Sequence, residues 1–196
     1  MPSALDLRLH DYRLEFGAFA LMLLLLIPGL GEWLEFNRQA IDQGQIWRLF
    51  SGHFVHLSLT HVLGNAAGLA FLGFIIRHDL SEKLLVWLFA WCALGVGGGL
   101  YWFAPDLQRY VGLSGVLHGM LLVVPFLMPL YRGWPAWLLL LVIVGKVLWE
   151  QTPFYNDQAL MDVIGGRVET RAHLFGVIAG GIWLMAMALF GKLPRN

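Results

Sequence analysis

Two side chains that together could cleave a peptide bond stand near the starts of two apolar segments. Ser114 lies in the sequence GLSGVLHG and His173 lies in the sequence RAHLFG. A serine hydroxyl becomes an effective nucleophile when a neighbouring histidine accepts its proton. Because a membrane helix is expected to begin at each of these residues, the two could meet at one depth of a lipid bilayer.

Glycines on the same two segments could allow that meeting. Gly115 and Gly119 are four residues apart, and so are Gly176 and Gly180. Small residues at this spacing form a stripe along one helix face and let two helix backbones approach closely. If the stripes face one another, the serine and the histidine come within side-chain reach. Alternatively, the glycines only pack the helices and the polar residues hydrogen-bond across them.

A second polar pair lies on an earlier apolar segment. His61 and Asn65 are four residues apart, so they share one face of a helix. Such a face can offer two donors to one oxygen, for instance to the oxyanion that forms when a serine attacks a carbonyl. The alternative interpretation is that the two side chains hydrogen-bond across helices and contribute only to packing.

The composition indicates that helices in a membrane carry these residues. Of the 196 residues, 58% are hydrophobic and 13% are charged, and the mean hydropathy is +0.66, outside the range of soluble globular domains. Six long apolar runs without alternation approach the ~20 residues that a helix needs to cross the hydrocarbon core. They cover residues 16–33, 57–76, 84–104, 114–131, 134–149 and 172–190. We therefore predict an all-α membrane protein, a bundle of six transmembrane helices that forms a single domain over residues 1–196.

Basic residues predict the orientation of this bundle. With the N-terminus in the cytoplasm, five basic residues face outward and seven face the cytoplasm, namely Arg8, Arg13, Arg77, Lys83, Arg132, Lys192 and Arg195. This bias agrees with the positive-inside rule. The second, fourth and sixth helices then begin at the outer face, which brings His61, Ser114 and His173 to that side.

Charge and cysteine content exclude some other classes of site. The formal net charge is zero, so nothing in the charge indicates nucleic-acid binding. The single cysteine, Cys92, excludes an internal disulfide and a cysteine-based structural metal site. His53, His56 and His61 could suggest a metal, but their spacing fits no metalloprotease motif and no acidic residue lies among them. We predict no metal and no other cofactor.

The chain resembles the rhomboid intramembrane serine proteases over about residues 16 to 190. Four motifs carry the resemblance, in the order and on the helices typical of the family. They are Trp47-Arg48, His61-Val-Leu-Gly-Asn65, Gly112-Leu-Ser114-Gly115 and Ala172-His173-Leu-Phe-Gly176. Trp47 and Arg48 are expected to anchor the first outer loop at the lipid headgroups.

The resemblance implies a six-helix rhomboid core with Ser114 as nucleophile and His173 as general base. The two would form a dyad without the carboxylate that orients the histidine of a serine triad. His61, Asn65 and the backbone N–H of Ser114, together with Gly112, would stabilise the oxyanion. Losing one such donor typically costs about 10²–10³ in rate.

Three further polar residues could support the site. His118 departs from the family pattern, in which a tyrosine is expected four residues after the serine. It could support His173, bind substrate or take the role of base, or it could be a hydrogen-bonded interior histidine. Lys146 and Glu150 are four residues apart near the outer end of the fifth helix. We expect a mutual salt bridge there, because a charge in lipid must be paired or reach water; alternatively, Glu150 meets His118 or the substrate.

The sequences GLSGVLHG and HLFG on a short six-helix core are most similar to the rhombosortase subfamily. This resemblance implies an enzyme of the bacterial inner membrane with its active site toward the periplasm. Its substrates would be membrane-anchored proteins whose C-terminal tail holds a Gly-Gly pair, a helix and a basic cluster. Each glycine lowers helix stability by about 1 kcal/mol relative to alanine, so the pair would expose the scissile backbone readily.

Other functions are compatible with parts of the sequence. A general rhomboid protease would cleave other single-span proteins. A non-catalytic rhomboid-like protein would bind membrane helices and would need neither Ser114 nor His173. A small transporter or haem protein would use histidines within the membrane, but transport predicts a polar path through the midplane, whereas most polar residues here cluster at one side.

Overall fold

The computed structural model describes residues 13–76, 80–131 and 133–191, and most of them are helical. The helices are α1 (Arg13–Leu24), α2 (Arg38–Asp42), α3 (Arg48–Ser51), α4 (Leu59–Ile76), α5 (Glu82–Phe103), α6 (Ser114–Leu127), α7 (Trp134–Glu150), α8 (Gln158–Ile164) and α9 (Thr170–Leu189). Two short strands, β1 (Phe36–Asn37) and β2 (Arg109–Tyr110), pair antiparallel. The prediction of an all-α chain therefore missed one short antiparallel strand pair between two loops that are distant in the sequence.

Three helices of the described residues are long and apolar enough to cross a membrane. These are α4, α5 and α9. The apolar helix α6 has only 14 residues and is shorter than a usual membrane span. The structure thus supports a helical membrane protein, and three of the six predicted spans meet the length criterion.

Two helices end earlier than their apolar runs, because prolines follow. The first apolar run continues to Trp33, but α1 ends at Leu24. The chain then turns at Pro28 and Gly29, and the φ angle of Gly29 is +89°. α6 ends at Leu127. Met128 is extended, as is usual for a residue before a proline.

Of the basic residues that predicted the orientation, five lie outside the described residues, namely Arg8, Arg77, Arg132, Lys192 and Arg195.

Helix α6 lies at the centre of the bundle. Ten of its 14 residues are buried, and it packs against α4, α5, α7 and α9. A Cβ atom added to Gly115 would lie 2.6 Å from the carbonyl oxygen of Ala172, and one added to Gly119 would lie 2.6 Å from that of Gly176. The predicted contact between the glycine stripes is therefore present. It holds the starts of α6 and α9 side by side.

Two arginines hold the segment between α1 and α4 against the bundle. Arg38 satisfies the last carbonyl groups of α5 and its following turn, with bonds of 2.8 to 3.0 Å to Leu100, Tyr101, Ala104 and Leu107. Arg48 is buried and donates to the carbonyl oxygens of Glu32 and Glu35 at 2.8 and 2.9 Å. The expectation that Arg48 lies at the headgroups is wrong, because its guanidinium closes a backbone turn. Trp47 is exposed.

Candidate active site

Ser114 and His173 meet at the adjoining ends of α6 and α9. Ser114 is the first residue of α6, and His173 lies in the first turn of α9. The Oγ atom of Ser114 and the Nε2 atom of His173 are 2.9 Å apart, a good hydrogen-bond distance. His173 is buried with 4% of its surface exposed, so its imidazole has a fixed position. A hydroxyl and an imidazole in this arrangement can exchange a proton.

The other nitrogen of His173 faces a carboxylate. Its Nδ1 atom lies 2.7 Å from Oε2 of Glu150, the last residue of α7. An ionised carboxylate only accepts hydrogen bonds, so in a neutral imidazole Nδ1 carries the proton and Nε2 is left as an acceptor for the Ser114 hydroxyl. The neighbouring Gln151 donates to the carbonyl oxygen of Thr170 at 3.2 Å, which also joins the end of α7 to the start of α9.

This contact differs from the expected dyad without a carboxylate. The spacing along the fifth segment pairs Glu150 with Lys146, and it does not reveal which neighbouring helix the carboxylate faces. The signal that could have identified the contact is the carboxylate itself, since an acidic residue at the end of a membrane segment requires a partner.

The expected salt bridge between Lys146 and Glu150 is also present. Nζ of Lys146 lies 2.6 Å from Oε1 of Glu150, so each carboxylate oxygen has its own partner. The same ammonium group lies 3.0 Å from Nε2 of His118. The alternative in which Glu150 meets His118 directly is therefore wrong, because Lys146 stands between them.

His118 contacts both Ser114 and His173. Its Nδ1 atom lies 2.7 Å from the carbonyl oxygen of Ser114, and its ring stacks on that of His173 with a centroid distance of 4.3 Å. A carbonyl only accepts and an ammonium only donates, so Nδ1 of His118 is the donor and Nε2 is the acceptor. Both nitrogens are engaged away from the Ser114 hydroxyl. His173 is the histidine whose nitrogen faces that hydroxyl.

His61 and Asn65 line the same cavity as Ser114 and His173. The cavity has a volume of about 210 Å³. Nδ1 of His61 accepts a weak hydrogen bond from the backbone of Leu57 at 3.4 Å, which leaves Nε2 as the donor. The Asn65 amide donates to the carbonyl oxygen of His61 at 3.1 Å. Since an amide nitrogen has two hydrogens, one remains for another acceptor.

Gly112 shapes the backbone just before Ser114. Its φ of +120° is a conformation that favours glycine, and an added Cβ would lie 2.9 Å from Cε1 of His61. The N–H of Gly112 donates to the carbonyl oxygen of Gly52 at 3.3 Å, so this amide has another partner. The structure thus gives Gly112 a steric role beside His61.

Sequence reasoning missed two residues that hold this turn. The Tyr110 hydroxyl donates to the carbonyl oxygen of Gly112 at 2.7 Å. The buried ring of His53 contacts the same oxygen at 3.4 Å and the carbonyl oxygen of Ala93 at 2.9 Å. Burial lowers the pKa of His53 and raises that of Tyr110. Both side chains therefore stay neutral, and both hold the carbonyl group of Gly112 in place.

The histidines before α4 contact one another through their rings. The rings of His56 and His61 are 4.8 Å apart. Burial, assisted by the neighbouring His61, lowers the pKa of His56 to about 4. Within residues 13–76, 80–131 and 133–191, no group of three or more His, Cys, Asp or Glu side chains is placed to hold a metal ion.

Helix α8 forms the outer wall of the cavity. Ser58 donates to the carbonyl oxygen of Ile164 at 2.7 Å, and Thr60 donates to that of Val163. Leu160 and Ile164 line the cavity from this side. These contacts attach the segment between α7 and α9 to the start of α4, directly over the polar residues.

Comparisons with known proteins identify one family. The rhomboid domain family matches residues 43–190. The chain is similar to the rhomboid protease GlpG of Pectobacterium atrosepticum, with 29% identity over 177 residues, which is 84% of this chain and 56% of that protein. It is also similar to the rhomboid protease GlpG of Yersinia pestis (strain Pestoides F), with 28% identity over 172 residues, 82% of this chain and 56% of that protein. The chain therefore spans little more than half the length of these relatives.

Proposed function

The chain belongs to the rhomboid family, and from this premise we propose that it is an intramembrane serine protease. Ser114 is the nucleophile and His173 is the general base. The observation that carries the proposal is the 2.9 Å contact between Ser114 Oγ and His173 Nε2, at the nitrogen that is free to accept a proton. Similarity to the GlpG proteases supports the same chemistry.

The reaction proceeds through an acyl-enzyme. The Ser114 hydroxyl gives its proton to His173 Nε2 while Oγ bonds to the carbonyl carbon of the scissile peptide, and the carbonyl electron pair moves to its oxygen. Collapse of this intermediate breaks the C–N bond, and the leaving amine takes the proton from His173. A water molecule then attacks the ester by the same route, which releases a carboxylic acid and restores Ser114.

The oxyanion is stabilised by donors around the 210 Å³ cavity. His61 Nε2–H, the second Asn65 amide hydrogen and the backbone N–H of Ser114 are the three donors. Fixed donors in a site with little water do not have to reorganise during the reaction, which makes them effective.

We place the site at the outer side of a six-helix membrane bundle with a cytoplasmic N-terminus, in the inner membrane of a bacterium. Helices α4, α6 and α9 begin on the same side, and their first turns carry His61, Ser114 and His173. A cavity at that side admits water without a polar path through the bilayer.

The substrates in this proposal are membrane-anchored proteins with a C-terminal Gly-Gly, helix and basic-cluster tail, as the rhombosortase resemblance implies. A protease binds an extended backbone, so the helix of the substrate must open at the scissile bond. Two glycines lower the cost of that opening. Cleavage of other single-span proteins is the alternative substrate range. A replacement of the Gly-Gly pair by Ala-Ala distinguishes the two, because only a Gly-Gly-dependent enzyme then loses cleavage.

Labelling with a fluorophosphonate probe tests the activity without knowledge of the substrate. We expect the detergent-solubilised protein to label, Ser114→Ala to abolish labelling and His173→Ala to reduce it sharply. Ser81→Ala is the matched control, since it removes an exposed hydroxyl that caps α5. Folded protein that does not label, while a known rhomboid protease labels under the same conditions, would refute the proposal and favour a non-catalytic helix-binding protein.

A further inference from the structure

The carboxylate of Glu150 faces the nitrogen of His173 that does not face the serine. We infer that Glu150 is a positioning residue for His173, holding its imidazole in the tautomer that can take the proton of Ser114. The inference rests on the proposed protease function and adds a third member, supplied by α7, to the dyad expected from the sequence.

Burial makes this carboxylate a specific feature of the site. The Glu150 side chain is 3% exposed and that of His173 is 6% exposed. A buried carboxylate is costly unless both of its oxygens have partners. Here Oε2 faces His173 at 2.7 Å and Oε1 faces Lys146 at 2.6 Å. The ammonium group of Lys146 balances the charge and leaves Oε2 for the histidine.

The contacts around Glu150 close into a ring with one consistent assignment of protons. The carbonyl oxygen of Ser114 accepts from His118 Nδ1, and His118 Nε2 accepts from Lys146. Lys146 also donates to Glu150, Glu150 accepts from His173 Nδ1, and His173 Nε2 accepts from the Ser114 hydroxyl. The ring begins and ends at the nucleophile. When the His173 imidazole is neutral, this is the one assignment that satisfies every contact, because a carbonyl and a carboxylate can only accept and an ammonium can only donate.

Glu150 also stabilises the charge that forms during the reaction. When the Ser114 proton moves to His173 Nε2, the imidazole becomes a cation beside the carboxylate. Glu150 remains ionised and takes no proton, as in other serine hydrolases that use a carboxylate in this position.

The substitution Glu150→Gln has a specific consequence. An amide has one oxygen, and Lys146 can only donate, so the ammonium binds that oxygen. The amide NH₂ then faces His173 Nδ1 and donates to it, which moves the imidazole proton to Nε2. That tautomer cannot accept the Ser114 proton, so we expect the rate of fluorophosphonate labelling to fall by about 10²- to 10⁴-fold.

A second substitution is expected to reverse part of this loss. In the double variant Lys146→Met with Glu150→Gln, no ammonium competes for the amide oxygen. The oxygen can then turn to His173 Nδ1 and restore the productive tautomer. We expect labelling to recover by at least about tenfold over Glu150→Gln, which a general loss of packing does not predict. Glu82→Gln is the matched control, because Glu82 pairs with Arg13 at 3.6 Å.

The tautomer itself can be observed by nitrogen-15 NMR of histidine-labelled protein, with His173→Ala for assignment. We expect the Nδ1–H tautomer at His173 in the wild type and the Nε2–H tautomer in Glu150→Gln. An Nε2–H tautomer in the wild type, or labelling of Glu150→Gln at the wild-type rate, would overturn the inference. A wild type with the Nδ1–H tautomer that does not label would contradict the proposed protease activity while supporting the role of Glu150. The assigned wild-type spectrum decides the matter even if Glu150→Gln does not fold.

Discussion

Two histidines lie against Ser114, and their hydrogen bonds give them different tasks. His118 is on the same helix as the serine, but its two nitrogens bind the Ser114 carbonyl oxygen and Lys146. His173 comes from another helix and directs Nε2 at the hydroxyl. The base in the proposed mechanism is therefore the histidine that is distant in sequence from the serine. The nearer histidine, His118, contacts the Lys146 ammonium group and stacks on the His173 ring.

At Gly112, we predict that substitution by alanine damages both stability and activity. A positive φ costs an alanine about 1–2 kcal/mol, and here the new Cβ also meets the His61 ring at 2.9 Å. Displacement of His61 should lower the labelling rate by about 10- to 100-fold. Gly44 is the control, since its φ is +96° but an added Cβ there has nothing within 4 Å. Gly44→Ala should lower the melting temperature and keep labelling; equal labelling by the two variants would contradict the steric role of Gly112.

Buried His56 should make the stability of the protein depend on pH. The pKa of His56 in the folded state is about 4, below the usual 6.5. Between about pH 6.5 and about pH 4 the unfolded state therefore binds more protons than the folded state. The free energy of unfolding then falls as the pH falls through this range. Its Nε2 atom also has no hydrogen-bond partner among the described residues. We expect the loss of thermal stability between about pH 7 and about pH 5 to be smaller in His56→Phe than in the wild type. An equal loss of thermal stability in both proteins would show that His56 does not cause the pH dependence.

Among the elements, the contact between α6 and α9 sets the distance between Ser114 and His173. A Cβ added to Gly176 would overlap the carbonyl oxygen of Gly115, whereas one added to Gly181 has nothing within 4 Å. We predict that Gly176→Ala lowers stability by about 1–3 kcal/mol through overpacking and reduces labelling, because it moves His173 away from Ser114.

The substitution Gly181→Ala on the same helix is the matched control. Alanine favours a helix over glycine by up to about 1 kcal/mol, so this variant should be as stable as the wild type or more stable. Thermal unfolding in detergent, followed by labelling of the folded fraction, checks both variants. Similar behaviour of the two would show that the glycine contact does not control the site.

The long apolar helices could be predicted from local sequence, and the Ser114–His173 contact from the glycine stripes together with the resemblance to rhomboid proteases. Apolar runs give the helices, and glycines four residues apart give the face along which two of them touch. The contact of Glu150 with His173 could not be predicted in this way. The spacing of four residues pairs Glu150 with Lys146, but the rotation of α7 toward α9 depends on packing between helices that are distant in sequence. For the same reason, Arg48 was expected to anchor a loop at the lipid headgroups although its side chain is buried.

For the whole molecule, the alternation of chain direction gathers the polar residues at one side. His61, Ser114 and His173 lie in the first turns of α4, α6 and α9, and Glu150 is the last residue of α7. Helix α7 must therefore run opposite to the other three for Glu150 to reach His173. The same alternation places the end of α4 and the start of α5 at one end of the bundle and α8 at the other.

The last prediction concerns the orientation of the bundle. If the site faces outward, Asp162 on α8 lies outside the membrane and Ser81, before α5, lies in the cytoplasm. The only native cysteine, Cys92, is buried, so the wild type is a background control for single-cysteine variants. In intact spheroplasts, a membrane-impermeant maleimide should label Asp162→Cys, and it should label Ser81→Cys only after lysis. Both positions are exposed, so a difference between them reports the side of the membrane, and the reverse pattern would place Ser114 at the cytoplasmic face.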